Sequence, residues 1–194
     1  HDEVGSTLSS ISILSTSALR GVEKDLDNAR LGNIGDKARA ALDSISDIVW
    51  SVNPENDSME KALARMSAYA SEMLENVGAE LRFEVGEGVE DLTLPMEKRK
   101  DFYLIFKEAI HNIVKYARAK QVVVALWKEG NILTLSIKDD GVGFEMKDAA
   151  PDTRNLGGNG LRNMRSRAAA MGADFQIKSA PGSGTIVLIK IPVS

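Results

Sequence analysis

The sequence predicts an α+β fold in two parts, a helical hairpin followed by a domain with helices on one face of a mixed sheet. Residues 1–53 show only helical periodicity, whereas the later residues combine strands of period two with three further helical stripes. A polar, proline-broken stretch between the two parts is typical of a hinge. We therefore divide the chain into a hairpin at residues 1–53, a hinge at 54–58 and a mixed domain at 59–194.

The composition narrows the class of protein. The 194 residues include 24 Lys and Arg and 28 Asp and Glu, and this net charge of −4 argues against a nucleic-acid surface. The absence of cysteine excludes disulfides, thiolate metal sites and cysteine nucleophiles. No apolar run approaches the roughly 20 residues of a membrane helix. We expect a cytoplasmic piece of a longer protein, with any membrane contact made by segments outside this chain.

The predicted hairpin consists of two amphipathic helices. Their apolar stripes run through residues 4–26 and 34–52, and Pro54 ends the second because proline restricts the residue before it. Two such helices cannot cover their own stripes. A second copy would cover them in a dimeric four-helix bundle, and the alternative is that both pack on the downstream domain. We predict a homodimer.

Three helices are predicted in the mixed domain, at residues 57–77, 95–117 and 157–171. Asp57 and Glu60 have the spacing of a capping box, and Pro95 suits the first residue of the second helix. The inward face of the first helix is predicted to carry Met59, Leu63, Met66, Ala70, Met73 and Val77. That of the second is predicted to carry Phe102, Ile105, Phe106, Ala109, Ile110 and Ile113.

Six strands are predicted between and after these helices. The alternation of Leu133, Leu135 and Ile137 with polar residues indicates a strand with one buried face. The predicted strands span residues 80–85, 91–94, 121–128, 131–138, 175–179 and 185–191.

The strand that ends at residue 138 leads directly into Asp139, Asp140, Gly141, Val142 and Gly143. Two glycines at this spacing allow a sharp turn and the close approach of a ligand. An aspartate at the end of a buried strand is placed to accept hydrogen bonds from a flat, amine-bearing ligand such as adenine. Because Asp-Gly is also the commonest short turn signal, a simple hairpin is the alternative.

Glu108, Asn112 and Lys115 follow one another at i, i+4 and i+7 on the second helix of the domain. Carboxylate and amide oxygens suit Mg²⁺ held together with substrate phosphates, and lysine can pair with a phosphate. An ordinary solvated helix face is the alternative.

The glycines 157, 158 and 160 begin another helix, and free backbone N–H groups at such an end favour phosphate. This cluster is neither a Walker A motif nor a dinucleotide fingerprint.

In this order the motifs resemble the ATP-binding domain of sensor histidine kinases. Its Bergerat-type fold is shared with type II topoisomerases, Hsp90 chaperones and mismatch-repair ATPases. The resemblance covers about residues 58–194. Residues 108–117 are similar to the N box, 139–143 to the G1 box, 158–161 to the G2 box and 182–185 to the last glycine motif.

The resemblance implies roles for individual residues. Glu108 and Asn112 would hold Mg²⁺, with Glu108 also catalytic, and Asp139 would bind the adenine amine. Lys115 and Tyr116 would lie near the phosphates or ribose, and residues 145–157 would form a lid over the nucleotide. The remaining nucleotide-binding residues implied are Gly141, Gly143, Gly158, Gly160, Leu161 and Thr185.

The beginning of the chain resembles the acceptor segment of kinases whose phosphorylated histidine is followed by aspartate. In that case neutral His1 attacks the γ-phosphoryl group and Asp2 accepts or orients the ring proton. A purification tag would also leave a histidine at residue 1. Ser6 occupies the position where such kinases often carry Gln or His to position water, so phosphatase activity is not implied. In the N box, Tyr116 occupies a position where histidine is common.

Together these resemblances imply a two-component sensor histidine kinase core. Such a core autophosphorylates His1 with ATP and Mg²⁺, then transfers the phosphoryl group to an aspartate of a response regulator or fused receiver domain. Two alternatives remain: an ATP-binding dimeric regulatory scaffold without phosphotransfer, and an anti-sigma-type serine kinase on the same fold.

Overall fold

The computed structural model describes residues 58–145 and 158–193, all within the unit Glu55–Ser194. The predicted hairpin at 1–53, with His1 and Asp2, lies outside the described residues. So do Asp57 and most of the predicted lid.

The described residues form three α-helices, one π-helical turn and five strands. The helices are α1 (Met59–Glu75), α2 (Met96–Asn112) and α3 (Gly158–Ala170), and a π-helical turn (Ile113–Ala117) continues directly from α2. The strands are β1 (Glu80–Val85), β2 (Gln121–Glu129), β3 (Ile132–Asp139), β4 (Asp174–Ser179) and β5 (Thr185–Pro192).

The strands form one mixed sheet with the order β1-β2-β3-β5-β4. β1 and β2 are parallel and are joined through α2, because parallel neighbours need a crossover connection. The other pairs are antiparallel. Asp139, at the end of the central strand β3, is the register partner of Val122 on one side and Thr185 on the other. The centre of the sheet therefore ends at the predicted site.

One face of the sheet packs against the helices, as predicted. Val122, Val124 and Leu126 of β2 are buried, whereas the residues between them are half-exposed. All six residues predicted for the inward face of the second helix are buried. Burial of these aliphatic and aromatic side chains supplies the main driving force for joining sheet and helices in two layers.

The start and end of α1 differ from the prediction. Ser58, not Asp57, is the N-cap, and its hydroxyl accepts a hydrogen bond from the Lys61 N–H at 3.2 Å. Val77 is 48% exposed instead of inward-facing, because α1 ends at Glu75 and the chain then turns at Gly78 with φ of 70°. Leu74 is buried near this end of the helix.

The strand predicted at residues 91–94 is wrong. This segment does not pair with the sheet, although Leu92 and Leu94 are buried. The alternation that suggested a strand comes from apolar side chains that fill the core from an irregular connection. Pro95 is the N-cap of α2 with an extended ψ of 143°, so the helix begins one residue later, at Met96.

Candidate functional site

Asp139 is a buried carboxylate at the end of the central strand, with 2% of its surface exposed. Its Oδ1 accepts the Gly141 N–H at 2.9 Å, and its carboxylate also accepts the backbone N–H of Thr185. Burial raises the pKa of Asp139, and these two hydrogen bonds oppose the rise. The structure therefore presents a desolvated hydrogen-bond acceptor, the group that the sequence predicts for an amine-bearing ring.

Asp140, the next residue, has a different environment. It is exposed, and its Oδ1 accepts the backbone N–H groups of Lys120 at 2.8 Å and Gln121 at 2.9 Å. These hydrogen bonds lower the pKa of Asp140. Asp140 thus fastens the end of β3 to the start of β2, whereas its neighbour faces the site.

The N-box helix changes geometry within its functional segment. It is α-helical through Asn112 and then widens into the π-helical turn that contains Lys115 and Tyr116. Such single π turns occur frequently at functional sites. The predicted stripe is therefore regular only from Glu108 to Asn112. The Lys115 Nζ lies 5.1 Å from the centre of the Tyr116 ring, which is 50% exposed.

Gly160 brings the start of α3 against the N box. A Cβ at this glycine would collide with the Glu108 carboxylate and lie 3.6 Å from the Asn112 Nδ2. The free N–H groups at the beginning of α3 therefore lie beside a half-buried carboxylate and amide. Gly158 begins α3, and Leu161 is half-buried in its first turn.

An ion pair supports this arrangement farther along the two helices. Arg167 Nη1 of α3 contacts Asp101 Oδ1 of α2 at 3.0 Å, and both side chains are mostly buried. Asp101 precedes Glu108 by about two helical turns, and Arg167 follows Gly160 by the same number. The helices are therefore antiparallel here, and this pair fixes the same register that places Gly160 on Glu108.

The G1 segment packs tightly on the N box through its first glycine. A Cβ at Gly141 would collide with the carbonyl of Ala117, and the Val142 N–H donates to that same carbonyl at 2.8 Å. Only a residue without a Cβ permits this approach. The strand end that carries Asp139 is thereby joined to the end of the helix that carries Asn112.

The second glycine packs on the turn between β4 and β5. Gly143 has φ of 60°, and a Cβ there would collide with the Ala180 carbonyl and lie 2.9 Å from the Gly184 carbonyl oxygen. The Gly182 N–H donates to the Val142 carbonyl at 2.6 Å. The last glycine motif is thus held against G1.

Sequence reasoning missed Ser179, the last residue of β4. Its Oγ accepts the Phe144 N–H at 2.9 Å, donates to the Gly184 carbonyl at 3.0 Å and lies 3.0 Å from the Thr185 Oγ1. Its position opposite Thr185 in the predicted hairpin was the available signal.

The predicted site residues form two groups in the structure. One group lies where α3 packs on α2 and comprises Glu108, Asn112 and Gly160. The other lies at the end of β3 and comprises Asp139, Gly141, Gly143 and Thr185. Lys115 and Tyr116 are on the turn between them in sequence. His111, next to Asn112, is exposed, so it is not packed in the core.

The donor set fits Mg²⁺ shared with a phosphate ligand. Within residues 58–145 and 158–193, no group of three or more Asp, Glu, His or Cys side chains could hold a metal by itself. Glu108 offers a carboxylate and Asn112 an amide oxygen, and both groups are hard oxygen ligands. Mg²⁺ usually keeps several waters and is bound through one or two carboxylates plus substrate phosphates, and the Glu108 carboxylate with the adjacent amide oxygen fits such a site.

In the described part of the chain, none of the helices has a run of apolar residues long enough to cross a bilayer.

Comparison with known proteins identifies relatives of the site and the fold. Sensor protein VraS of Staphylococcus aureus (strain COL) is 32% identical over 129 residues, which cover 57% of this chain and 36% of VraS. The chain therefore spans about a third of the length of the curated relatives it matches. This similarity, with the family match given below, confirms the predicted resemblance to sensor histidine kinases.

Two solved structures share the fold. Histidine kinase AdeS of Acinetobacter baumannii has a TM-score of 0.64 at 16% identity, covering 99% of this chain and 98% of that one. Full-length ShkA in complex with AMPPNP has a TM-score of 0.60 at 17% identity, covering 86% and 39%. The predicted Bergerat-type α+β fold is confirmed. Residues 97–194 match the family described as histidine kinase-, DNA gyrase B- and HSP90-like ATPase, and the chain belongs to that family.

Proposed function

We propose that this chain is the catalytic core of a two-component sensor histidine kinase. It autophosphorylates His1 with ATP and transfers the phosphoryl group to an aspartate of a response regulator or fused receiver domain. The observation that carries the proposal is the continuous contact network of the four motifs. Gly160 contacts Glu108, Ala117 contacts Gly141, and Gly143 contacts the turn before Thr185.

The adenine would bind where Asp139 accepts a hydrogen bond from its exocyclic amine. Thr185, whose N–H supports the Asp139 carboxylate, lies beside that position. The AMPPNP in the ShkA complex is an ATP-type ligand bound by a protein of the same fold. Recognition of a primary amine by a desolvated carboxylate is selective, because a ring without the amine leaves the acceptor unpaired.

The phosphates would extend toward the other group of residues. The N–H groups at Gly158 and Gly160 favour negative charge, and Lys115 and Tyr116 supply a cation and a hydroxyl near the path. Glu108 and Asn112 would hold Mg²⁺, which would neutralise the negative charge that develops on the phosphates during transfer. All these groups position and stabilise the phosphates, which is the main contribution a protein makes to phosphoryl transfer.

Transfer requires a nucleophile from the proposed hairpin at residues 1–53. The His1 imidazole nitrogen would form a bond to the γ-phosphorus while the bond to the leaving ADP oxygen breaks. Asp2 would accept or orient the proton on the imidazole ring. The hinge at residues 54–58 would bring His1 and the nucleotide together.

The proposed assembly is a homodimer, formed through the amphipathic stripes of residues 1–53. Its partner protein carries the receiving aspartate, and nucleic acid is not a partner because the chain has no excess of basic residues. We place this core in the cytoplasm, with any membrane contact made through segments outside the chain. The matched residues cover 36% of sensor protein VraS, so that relative has further segments outside the matched part.

A phosphorylation assay tests the proposal. A chain extended upstream of His1 is incubated with Mg²⁺ and γ-labelled ATP, beside its His1→Gln and Asn112→Ala variants. We expect acid-labile, base-stable label on the parent and on neither variant. The exposed His111 provides a matched control, because His111→Gln removes the other histidine and should leave the label in place.

Other outcomes would redirect the proposal. ATP binding without any label would favour the dimeric regulatory scaffold. Label that survives His1→Gln would assign the acceptor elsewhere. Acid-stable label on a serine of an added substrate would favour the serine-kinase alternative.

A further inference from the structure

We propose that Ser179 is a positioning residue for recognition of the adenine base. It acts through Thr185 and favours nucleotides with an amino group at purine position 6 over those with a carbonyl there. This inference rests on the proposed function and deepens it. Ser179 belongs to none of the motifs from which the nucleotide site was predicted.

The hydroxyl of Ser179 uses its full hydrogen-bonding capacity. A serine hydroxyl has one hydrogen to donate and two lone pairs to accept. Its hydrogen is directed to the Gly184 carbonyl at 3.0 Å, and one lone pair accepts the Phe144 N–H at 2.9 Å. The remaining contact, 3.0 Å to Thr185 Oγ1, must therefore be donated by Thr185.

This arrangement fixes the character of the Thr185 side chain. Because its hydrogen is committed to Ser179, the Thr185 hydroxyl keeps only lone pairs for any other partner. Thr185 also donates its backbone N–H to the Asp139 carboxylate, and it is the register partner of both Ser179 and Asp139. Ser179 thus holds Thr185 as an acceptor directly beside a carboxylate that is itself an acceptor when ionised.

Two neighbouring acceptors suit an amine and disfavour a carbonyl. The amino group at position 6 of adenine donates two hydrogens, whereas the carbonyl of hypoxanthine at that position would face lone pairs. Without the Ser179 hydroxyl, the Thr185 hydroxyl is released to rotate and to donate. The site would then discriminate less between the two bases, in addition to losing the Phe144 contact that holds the end of the G1 segment.

Equilibrium binding tests this inference on the full 194-residue chain. Calorimetry measures the affinities for ATP and for inosine triphosphate, both with Mg²⁺, in the parent and in Ser179→Ala. We expect Ser179→Ala to weaken ATP binding by about tenfold, the loss typical of one hydrogen bond, and to change inosine triphosphate binding by less than about twofold. The selectivity ratio therefore falls by about the same tenfold.

Three further single variants and one double variant separate positioning from general stability. Ser179→Thr keeps the oxygen and should restore most of the ratio. Ser136→Ala removes a half-exposed hydroxyl from β3 and should leave both affinities unchanged. Thr185→Val removes the other partner with an isosteric side chain and should reproduce the fall, so the inference remains testable if Ser179→Ala does not fold. In the double variant, Ser179→Ala with Thr185→Val, the selectivity ratio should fall no further than in either single variant.

An unchanged ratio in Ser179→Ala, whether both affinities fall equally or neither falls, would overturn the positioning role. Failure of the parent to bind ATP at all would overturn the proposed function, and the inference with it.

Discussion

The two ends of the proposed nucleotide site are built in different ways. The adenine end, which comprises Asp139–Gly143 and Thr185, is walled by backbone: a Cβ at Gly143 would collide with carbonyl groups. The phosphate end, which comprises Glu108, Asn112 and Gly160, is formed by side chains that helix packing brings together. A Cβ at Gly160 would meet the flexible end of a glutamate. We infer that the adenine end is preorganised, whereas the phosphate end can adjust around metal and phosphates.

The largest expected effect is that of Gly143→Ala on folding. The left-handed backbone and the collision with two carbonyls should lower the free energy of unfolding by about 2–4 kcal/mol, as measured by urea denaturation. Gly130→Ala is the matched control, because Gly130 has φ of 57° but open space around it. If both variants lost the same stability, the backbone wall at the adenine end would be refuted.

Gly160→Ala should act on binding instead of stability. Gly160 is helical with an ordinary φ, and alanine is favoured in helices by up to about 1 kcal/mol over glycine. The new methyl group should displace the Glu108 carboxylate and weaken Mg·ATP binding by about tenfold, while ATP binding without Mg²⁺ changes little. Calorimetry with and without Mg²⁺ measures this. A large loss of stability would show that the phosphate end is as rigid as the adenine end.

The adjacent aspartates should show opposite pH dependence in thermal unfolding. Burial raises the folded-state pKa of Asp139, so its contribution to stability is present in acid and is lost as the pH rises through that value. Asp139→Asn should therefore raise the Tm at neutral pH by about 3 °C, with the gain disappearing in acid, although ATP binding is weakened.

Asp140 provides the comparison. Hydrogen bonds lower its folded-state pKa, so its contribution is present at neutral pH and is lost as the pH falls through that value. Asp140→Asn should lower the Tm at neutral pH and have less effect in acid. Shifts of the same sign in both variants would contradict the assignment of one aspartate to the site and the other to the sheet.

The smallest expected effect concerns the ion pair between α2 and α3. Asp101→Asn should raise the KM for ATP by about twofold at an unchanged kcat, because partly exposed pairs contribute at most about 1 kcal/mol. The exchanged pair, Asp101→Arg with Arg167→Asp, should restore part of the loss. Asp174→Asn, on the edge strand β4, is the control. An equal rise in KM in the control would show that the ion pair does not set the register of the two helices.

Local periodicity explains why most of the fold was predictable. The alternation around Leu135 and the helical stripe around Phe106 both reflect direct burial against the core, so the sequence carries their pattern. Residues 91–94 show the limit of this reasoning. Leu92 and Leu94 are spaced like strand residues and are buried, but no neighbouring strand pairs with them.

The parts of the candidate site that lie in short sequence motifs were predictable. The parts whose geometry depends on residues far apart in the chain were less so. Glycines 141, 143 and 160 are required at close approaches, and their motifs revealed them. The π-helical turn changes the geometry of a helix without a local sequence signature. Ser179 lies opposite Thr185 in the predicted hairpin, but its contact with the Phe144 N–H, 35 residues away in the chain, is encoded by no local pattern.

The most direct test of the difference between the adenine end and the phosphate end uses two variants, Asp139→Asn and Asn112→Ala. In each, the affinities for ATP and for inosine triphosphate are measured with and without Mg²⁺. We predict that Asp139→Asn loses base selectivity, with an affinity for ATP lower by about 10- to 100-fold, but keeps its dependence on Mg²⁺. Asn112→Ala should lose the dependence on Mg²⁺ and keep the selectivity. If each variant lost both properties together, the site would be a single cooperative unit and the account of two separately built ends would be wrong.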